Sequence, residues 1–308
     1  SQSVVRSVEF HPNAQLLLTA GFDKKLRLFQ IDGKKNPKVQ SVYLQDCPIH
    51  TAAFVDAGNK VLCSGRRKHV YVYDLHSSKV ERVPLKVRQE RSLENFVASR
   101  SGDMAAFFGN EGHILLFSLK SRQFVRTLKM NGTLRSAEFS VDDRYLYTAG
   151  GDGVSYQWDM RTFMCSSKVT VSDALNCCAL ATSPTGALAT GAESGIVSLF
   201  EPPDEPSWRG GSRSGGSWTL AREFLNLTTA VDTLRFSPTG EMLLMASRMR
   251  RDALRMVHVA SRTVFSNWPT SRSPLQFVSS VGFSPDSQYL ALGNARGKVL
   301  LYRLPHYT

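Results

Sequence analysis

The sequence predicts an all-β protein folded as a seven-bladed β-propeller. Two features of its 308 residues predict this fold. One is a repeated unit, in which an apolar strand ends in a Phe-Ser-Pro-x-Gly-like turn, a second strand ends in small residues, and a third, alternating strand ends in an aromatic residue. The other is spacing, because the Phe position of that turn recurs at 10, 54, 98, 139, 182, 236 and 283, at intervals of 44, 44, 41, 43, 54 and 47 residues. Four short strands per unit at this period are typical of a propeller blade.

The seven copies differ in how completely they keep the unit. Pro and Gly supply the fixed and positive φ angles of the turn, and the alternating strand buries one face against the next blade. The turns and third strands lie at residues 8–12 and 25–29, 54–58 and 70–74, 101–102 and 114–117, 139–140 and 154–159, 182–186 and 197–200, 236–240 and 255–259, and 283–287 and 299–302. Only Trp158-Asp159 keeps the Trp-Asp pair, so we predict a WD40-type propeller whose other blades are degenerate.

The longest interval contains an insertion within what we expect to be a single domain over residues 1–308. Residues 202–217 are rich in Pro, Gly, Ser and Arg. Such a stretch cannot bury enough apolar area to offset its ordering entropy, so it predicts a flexible loop. A neutral surface insertion is the favoured interpretation, and RNA contact through its arginines is the alternative.

The seventh copy predicts an incomplete blade. It supplies three strands before the sequence ends at Thr308. Propellers commonly complete the last blade with a strand from the other end of the chain, which removes an exposed sheet edge. We therefore expect an N-terminal extension, upstream of these residues, to provide the outer strand.

Catalytic and metal-binding patterns are missing from the sequence. The five cysteines include an adjacent pair and no Cys-x-x-Cys spacing, which favours free thiols over a disulfide or zinc framework. The seven histidines show no metal spacing, and we expect His11 to form a hydrogen bond within its turn. Residues 150–153 (GGDG) precede no helical pattern and predict a structural turn instead of a phosphate loop. We predict a protein that is not an enzyme, with no cofactor, no metal and no membrane segment.

Basic residues cluster by blade. The net charge is +12, which favours polyanionic partners. The turns between second and third strands all lie on one propeller face, and those of the contiguous blades six, seven, one and two are basic. We call nine residues of these turns the basic arc: Lys24, Lys25, Arg66, Arg67, Lys68, Arg248, Arg250, Arg251 and Arg296. The same turns of blades three, four and five carry Glu111, Asp152 and Glu193.

The basic arc predicts contact with RNA or with an acidic protein, because each phosphate that it neutralises adds a salt-dependent increment of affinity. The alternative is that these cations only keep the surface soluble. A second basic run, Lys34, Lys35 and Lys38, follows the third strand of blade one and therefore lies on the opposite face. We expect that run to be a solvated loop.

Four segments resemble the WD40 domain of the U3 small nucleolar RNA-associated protein 18 family. They are residues 8–15 (VEFHPNAQ), 28–38 (LFQIDGKKNPK), 257–269 (VHVASRTVFSNWP) and 291–307 (ALGNARGKVLLYRLPHY). The resemblance is close at both ends and looser in the middle blades, and residues 202–217 depart from it. It implies a non-catalytic scaffold subunit of the small-subunit processome, within its UTP-B subcomplex of propeller and helical-repeat subunits, in pre-18S ribosomal RNA processing.

The same resemblance implies a nucleolar location, partnership with U3 small nucleolar RNA and pre-ribosomal RNA, and an N-terminal extension that recruits an exosome-associated helicase. Two rival functions remain open. A WD40 substrate receptor or chromatin-associated adaptor would need no basic face. A propeller enzyme would need convergent carboxylates or histidines in the central channel.

Overall fold

A computed structural model describes residues 3–85, 90, 93–170, 176–202, 218–270 and 274–304. The described residues form seven antiparallel sheets in chain order, which are the seven blades. The fold predicted from the repeats is therefore confirmed. The insertion predicted at 202–217 lies, apart from Pro202, outside the described residues.

The first four blades each contain four strands. Blade one comprises β1 (Val5–Phe10), β2 (Leu16–Gly21), β3 (Lys25–Gln30) and β4 (Lys38–Tyr43). Blade two comprises β5 (Thr51–Val55), β6 (Lys60–Ser64), β7 (His69–Asp74) and β8 (Val80–Pro84). Blade three comprises β9 (Phe96–Ala98), β10 (Met104–Phe108), β11 (His113–Ser118) and β12 (Gln123–Lys129). Blade four comprises β13 (Leu134–Phe139), β14 (Tyr145–Gly150), β15 (Val154–Asp159) and β16 (Met164–Thr170).

Of the last three blades, five and six have four strands and seven has three. Blade five comprises β17 (Cys177–Thr182), β18 (Leu188–Ala192), β19 (Val197–Glu201) and β20 (Thr219–Phe224). Blade six comprises β21 (Thr233–Phe236), β22 (Met242–Ala246), β23 (Leu254–His258) and β24 (Thr263–Val264). Blade seven comprises β25 (Val278–Phe283), β26 (Tyr289–Asn294) and β27 (Val299–Arg303). Two short 3-10 turns lie at Asp56–Gly58 and Asn110–Gly112.

The blades close into a ring. Each innermost strand packs against that of the next blade, and β25 packs against β1. An apolar cluster fills each of the seven blade-to-blade interfaces. In β2, Leu18 faces the cluster shared with blade two and Leu17 faces the cluster shared with blade seven. Because side chains alternate across a strand, a middle strand buried on both faces is a continuous apolar run, as the sequence shows.

The turn that contains His11 also joins two blades. The backbone N–H of Asn13 donates to Nδ1 of His11 at 3.1 Å, which confirms the hydrogen bond expected within this turn. Nε2 of the same ring lies 3.2 Å from the carbonyl oxygen of Gly58 in blade two. A Cβ atom at Gly58, where φ is +94°, would lie 2.3 Å from that ring nitrogen. Glycine is therefore required here by both the backbone angle and the close approach of the neighbouring blade.

The structure also settles two smaller expectations. All five cysteines are free, and Cys165 is the exposed one. Residues 150–153 form the turn between β14 and β15, where Gly153 has a φ of +70° and donates its N–H to the carbonyl of Gly150. Both predictions from the sequence are confirmed.

Candidate nucleic-acid interface

The basic arc lies around one end of the central channel. Its residues occupy the β2–β3, β6–β7, β22–β23 and β26–β27 turns, and Lys25 is the first residue of β3. In antiparallel blades these turns and the entries into the innermost strands lie at the same end. Eight of the nine side chains are exposed, and Lys24 is half-buried. We call this end of the ring the basic face.

Several of the arc's cations are fixed by neutral oxygen atoms. Nζ of Lys24 donates to the carbonyl of Gln45 at 2.9 Å. Nε of Arg67 donates to the carbonyl of Asp46 at 2.8 Å. These bonds orient the side chains without neutralising them, so the positive charge stays available to a ligand.

Two arc arginines are paired with carboxylates at the channel mouth. Nε of Arg66 lies 2.8 Å from Glu94, and Nε of Arg248 lies 3.1 Å from Asp232. The arginine side chains remain 73% and 54% exposed. Exposed ion pairs of this kind are weak, with typical energies of about 0–1 kcal/mol. The pairs therefore leave both guanidinium groups free to exchange partners with an arriving phosphate.

Arg6, which the sequence analysis missed, lies beside the arc at the same mouth. Its guanidinium carbon is 5.6 Å from the centre of the Phe22 ring. Burial, and then the charge of Arg248, lower the pKa of Arg6, while Asp232 and Glu94 raise it. Arg6 is the second residue of β1, and the sequence pattern of that strand gives no indication that its side chain meets blade six. A folded ring is needed to bring the two together.

Blades three, four and five give the same face a different character. Glu111, Asp152 and Glu193 lie in their second-to-third-strand turns, as expected. Oε2 of Glu193 accepts a hydrogen bond from Asn176 at 2.8 Å, and Oδ2 of Asp152 accepts one from the Tyr156 hydroxyl at 2.6 Å. The basic arc is thus bordered by acidic turns on the same face. A polyanion would be attracted to the basic part of this face and repelled by the acidic part.

The central channel, about 790 Å³ in volume, contains buried charge near the opposite end. Glu9 and Glu138 lie on its wall, and Arg235 bridges to Glu138 at 3.3 Å across 97 positions of sequence. Burial raises the pKa of Glu9 to about 7, partly offset by the hydrogen bond that its carboxylate accepts from the Phe54 N–H at 2.9 Å. Burial likewise raises the pKa of Glu138, against the nearby charges of Arg235 and Arg100. This arrangement links blades four and six across the channel.

The second basic run lies on the opposite face in a tightly bonded loop. Oδ1 of Asp32 accepts the backbone N–H groups of Lys34, Lys35 and Asn36 at 2.8–2.9 Å. These bonds lower the pKa of Asp32. Lys34 and Lys35 lie between β3 and β4, as expected, whereas Lys38 is already the first residue of β4. The run therefore offers a basic control surface far from the basic face.

In the described part of the chain, no three His, Cys, Asp or Glu side chains are grouped so as to hold a metal ion. Within the same ranges, no helix is long and apolar enough to cross a membrane.

Comparison with known proteins agrees with the repeats and with the ring. The family model described as WD domain, G-beta repeat matches residues 1–30 and 122–159. Over 310 aligned residues the chain is 46% identical to the U3 small nucleolar RNA-associated protein 18 homolog of Arabidopsis thaliana, which covers 100% of this chain and 55% of that protein. The chain belongs to the WD40 proteins related to U3 small nucleolar RNA-associated protein 18.

Other members of this family are similar over the same region. The human homolog is 36% identical over 99% of this chain and 54% of its own length. The Saccharomyces cerevisiae protein is 32% identical over 100% of this chain and 59% of its own length. The chain thus spans about half the length of the curated relatives that it matches. The family resemblance predicted from four segments is confirmed along the whole propeller.

Proposed function

We propose that this chain is a non-catalytic binding platform whose basic arc contacts RNA in ribosomal RNA processing. The observation that carries the proposal is the basic face, where exposed cations of four contiguous blades lie at one end of the channel. The relatives' names, which associate them with U3 small nucleolar RNA, support RNA over other polyanions.

In this proposal the chain is a scaffold subunit of the small-subunit processome, within the UTP-B subcomplex, and works in the nucleolus. Its RNA partners are U3 small nucleolar RNA and pre-ribosomal RNA, and its protein partners are other propeller and helical-repeat subunits. An exosome-associated helicase binds an N-terminal extension. These finer assignments rest on the family resemblance, whereas the basic face rests on the structure.

The first experiment compares charge reversals on the two faces. Three arc residues, Arg67, Lys68 and Arg250, are changed to Glu in one variant, and Lys34, Lys35 and Lys38 are changed to Glu in the other. Both variants lose the same net charge. We expect the arc variant to bind single-stranded RNA more weakly and to lower the slope of log affinity against log salt by about 2, since each lost phosphate contact lowers it by about 0.7.

The control variant should change affinity and slope much less. Equal losses in the two variants would show that only net charge matters and would contradict a contact at the basic face. Unaltered RNA binding in both would instead favour a protein partner, as in a substrate receptor or chromatin-associated adaptor. Fluorescence anisotropy at several salt concentrations measures both the affinity and the slope.

A further inference from the structure

Two aromatic side chains, Phe22 and Phe277, lie beside residues of the basic arc near the channel mouth. Phe22 is the only aromatic residue in the seven turns between second and third strands, and 38% of its surface is exposed. Phe277 directly precedes β25 and is half-buried. The two rings lie at the entrance to blades one and seven, which are the central blades of the basic arc.

The guanidinium group of an arginine lies over each ring. The guanidinium carbon of Arg6 lies 5.6 Å from the centre of Phe22, and that of Arg251 lies 5.5 Å from the centre of Phe277. At such distances the cation is attracted to the face of the ring. Unpaired bases of nucleic acid stack on aromatic rings and on guanidinium planes alike, so each of these two pairs offers a stacking surface.

Positive charge is in excess beside Phe22. Three guanidinium groups, of Arg6, Arg66 and Arg248, share the carboxylates of Glu94 and Asp232. Nε of Arg6 is buried and has no hydrogen-bond partner in the described part of the chain. Arginine stays protonated at neutral pH even when its pKa falls somewhat. These arginines therefore outnumber the two carboxylates that they share, and a phosphate group would supply further negative charge.

We propose that the channel mouth on the basic face binds single-stranded RNA, with unpaired bases against Phe22 and Phe277 and phosphates against the neighbouring arginines. This inference rests on the proposed RNA contact and goes beyond it, because it selects unpaired over paired RNA. A duplex keeps its bases stacked inside the helix and would offer this surface only its backbone. An acidic protein segment would satisfy the arginines but would give the exposed Phe22 ring and the half-buried Phe277 ring no stacking partner.

The test separates bases from phosphates. The probe is a fluorescent oligouridylate of about 12 nucleotides, within the usual site size of a single-strand binder. It is compared with an abasic strand of equal length and with a duplex. Phe22→Leu and Phe277→Leu remove the ring but keep an apolar side chain, and Phe22→Tyr restores a ring. Phe265→Leu is the matched control, because Phe265 is also 38% exposed but lies beside β24 at the outer edge of blade six.

We expect each leucine variant of the two mouth residues to weaken oligouridylate binding by at least about fivefold, the usual loss for one stacked base. Binding of the abasic strand should stay unchanged, and Phe22→Tyr and Phe265→Leu should bind like the original chain. Thermal unfolding checks that each variant is folded. If Phe277→Leu does not fold, the result for Phe22→Leu decides the outcome.

Two results would overturn the inference, and they differ. If the leucine variants bind oligouridylate as the original chain does, while binding still depends on salt and on the basic arc, the stacking site is wrong and the RNA contact stands. If the chain binds neither oligouridylate nor duplex at low salt, both the stacking site and the proposed RNA contact are wrong.

Discussion

Trp158, the tryptophan of the Trp-Asp pair, forms a buried hydrogen bond within blade four. Its indole Nε1 donates to Oγ1 of Thr148 at 2.9 Å. Thr190 occupies the same position of β18 in blade five, as the strand registers show, but Phe200 stands there in place of the tryptophan. The Thr190 hydroxyl is buried without a hydrogen-bond partner among the described residues. Blade four thus contains this threonine with a hydrogen-bond donor beside it, and blade five contains the equivalent threonine without one.

This difference predicts opposite effects of one substitution. Thr148→Val leaves the buried indole N–H without an acceptor, so we expect the free energy of unfolding to fall by about 1–3 kcal/mol. Thr190→Val removes only an unpaired buried hydroxyl, so we expect no loss or a small gain. Urea unfolding of the two variants measures the difference. Equal losses would contradict it, since they would mean that the shape of the side chain matters and the hydrogen bond does not.

The third strand of blade seven is more exposed than its counterparts. Val197, Ser198, Leu199 and Phe200 of β19 are all buried, with β20 paired outside them. In β27 the residues Val299 to Tyr302 are only half-buried, and the described sheet ends at that strand. An exposed strand edge leaves backbone N–H and C=O groups unpaired. This agrees with the expectation of an outer strand from upstream, which we retain as a proposal.

An extended chain tests this proposal at the level of one strand. Adding the natural upstream residues should raise the midpoint of thermal unfolding, by roughly 2–4 °C for each kcal/mol that the added strand contributes. The control is the same extension with proline at alternate positions, because proline has no N–H to donate to β27. Equal midpoints for the extended, control and original chains would mean that β27 accepts no upstream strand.

The sequence predicted strands and turns better than it predicted contacts between blades. The repeat placed Phe10, the residue 150–153 turn and Trp158 correctly, because each depends on neighbours within one blade. It also placed eight of the nine basic-arc residues in their turns, whereas Lys25 already begins β3. It missed the approach of Arg6 in blade one to Arg248 in blade six and the bridge from Arg235 to Glu138, because these pairs form only when the ring closes. Strand periodicity specifies which face is buried but not which side chain of another blade it meets.

Basic and acidic residues occupy different parts of the whole propeller. The basic arc and Arg6 lie on one side of one mouth, the acidic turns of blades three to five lie on the other side, and Glu9 and Glu138 lie deeper in the channel. The placement of the positive charges on one face, and not only the net charge of +12, therefore decides where a polyanion would bind. Seven apolar clusters hold this arrangement, one at each blade interface.

Shortening the insertion of blade five tests whether the fold and RNA binding at the basic face depend on it. Glu201 at the end of β19 pairs directly with Thr219 at the start of β20, so residues 203–217 connect two points that are already adjacent. This connection joins a third strand to a fourth strand and therefore starts from the face opposite the basic arc. We expect replacement of 203–217 by Asn-Gly, a turn suited to paired strands, to preserve both the fold and RNA binding.

The free energy of unfolding should rise by no more than about 2 kcal/mol, since each of roughly three halvings of the loop length removes about 0.6 kcal/mol of closure cost. The unfolding midpoint should then rise by no more than roughly 8 °C. A fall would mean that these residues pack against the ring. A loss of RNA affinity at an unchanged midpoint would instead assign a phosphate contact to Arg209 and Arg213, the two arginines of the insertion. Substituting both with Gln inside the intact insertion would then have to reproduce that loss, because it removes their charge without shortening the connection.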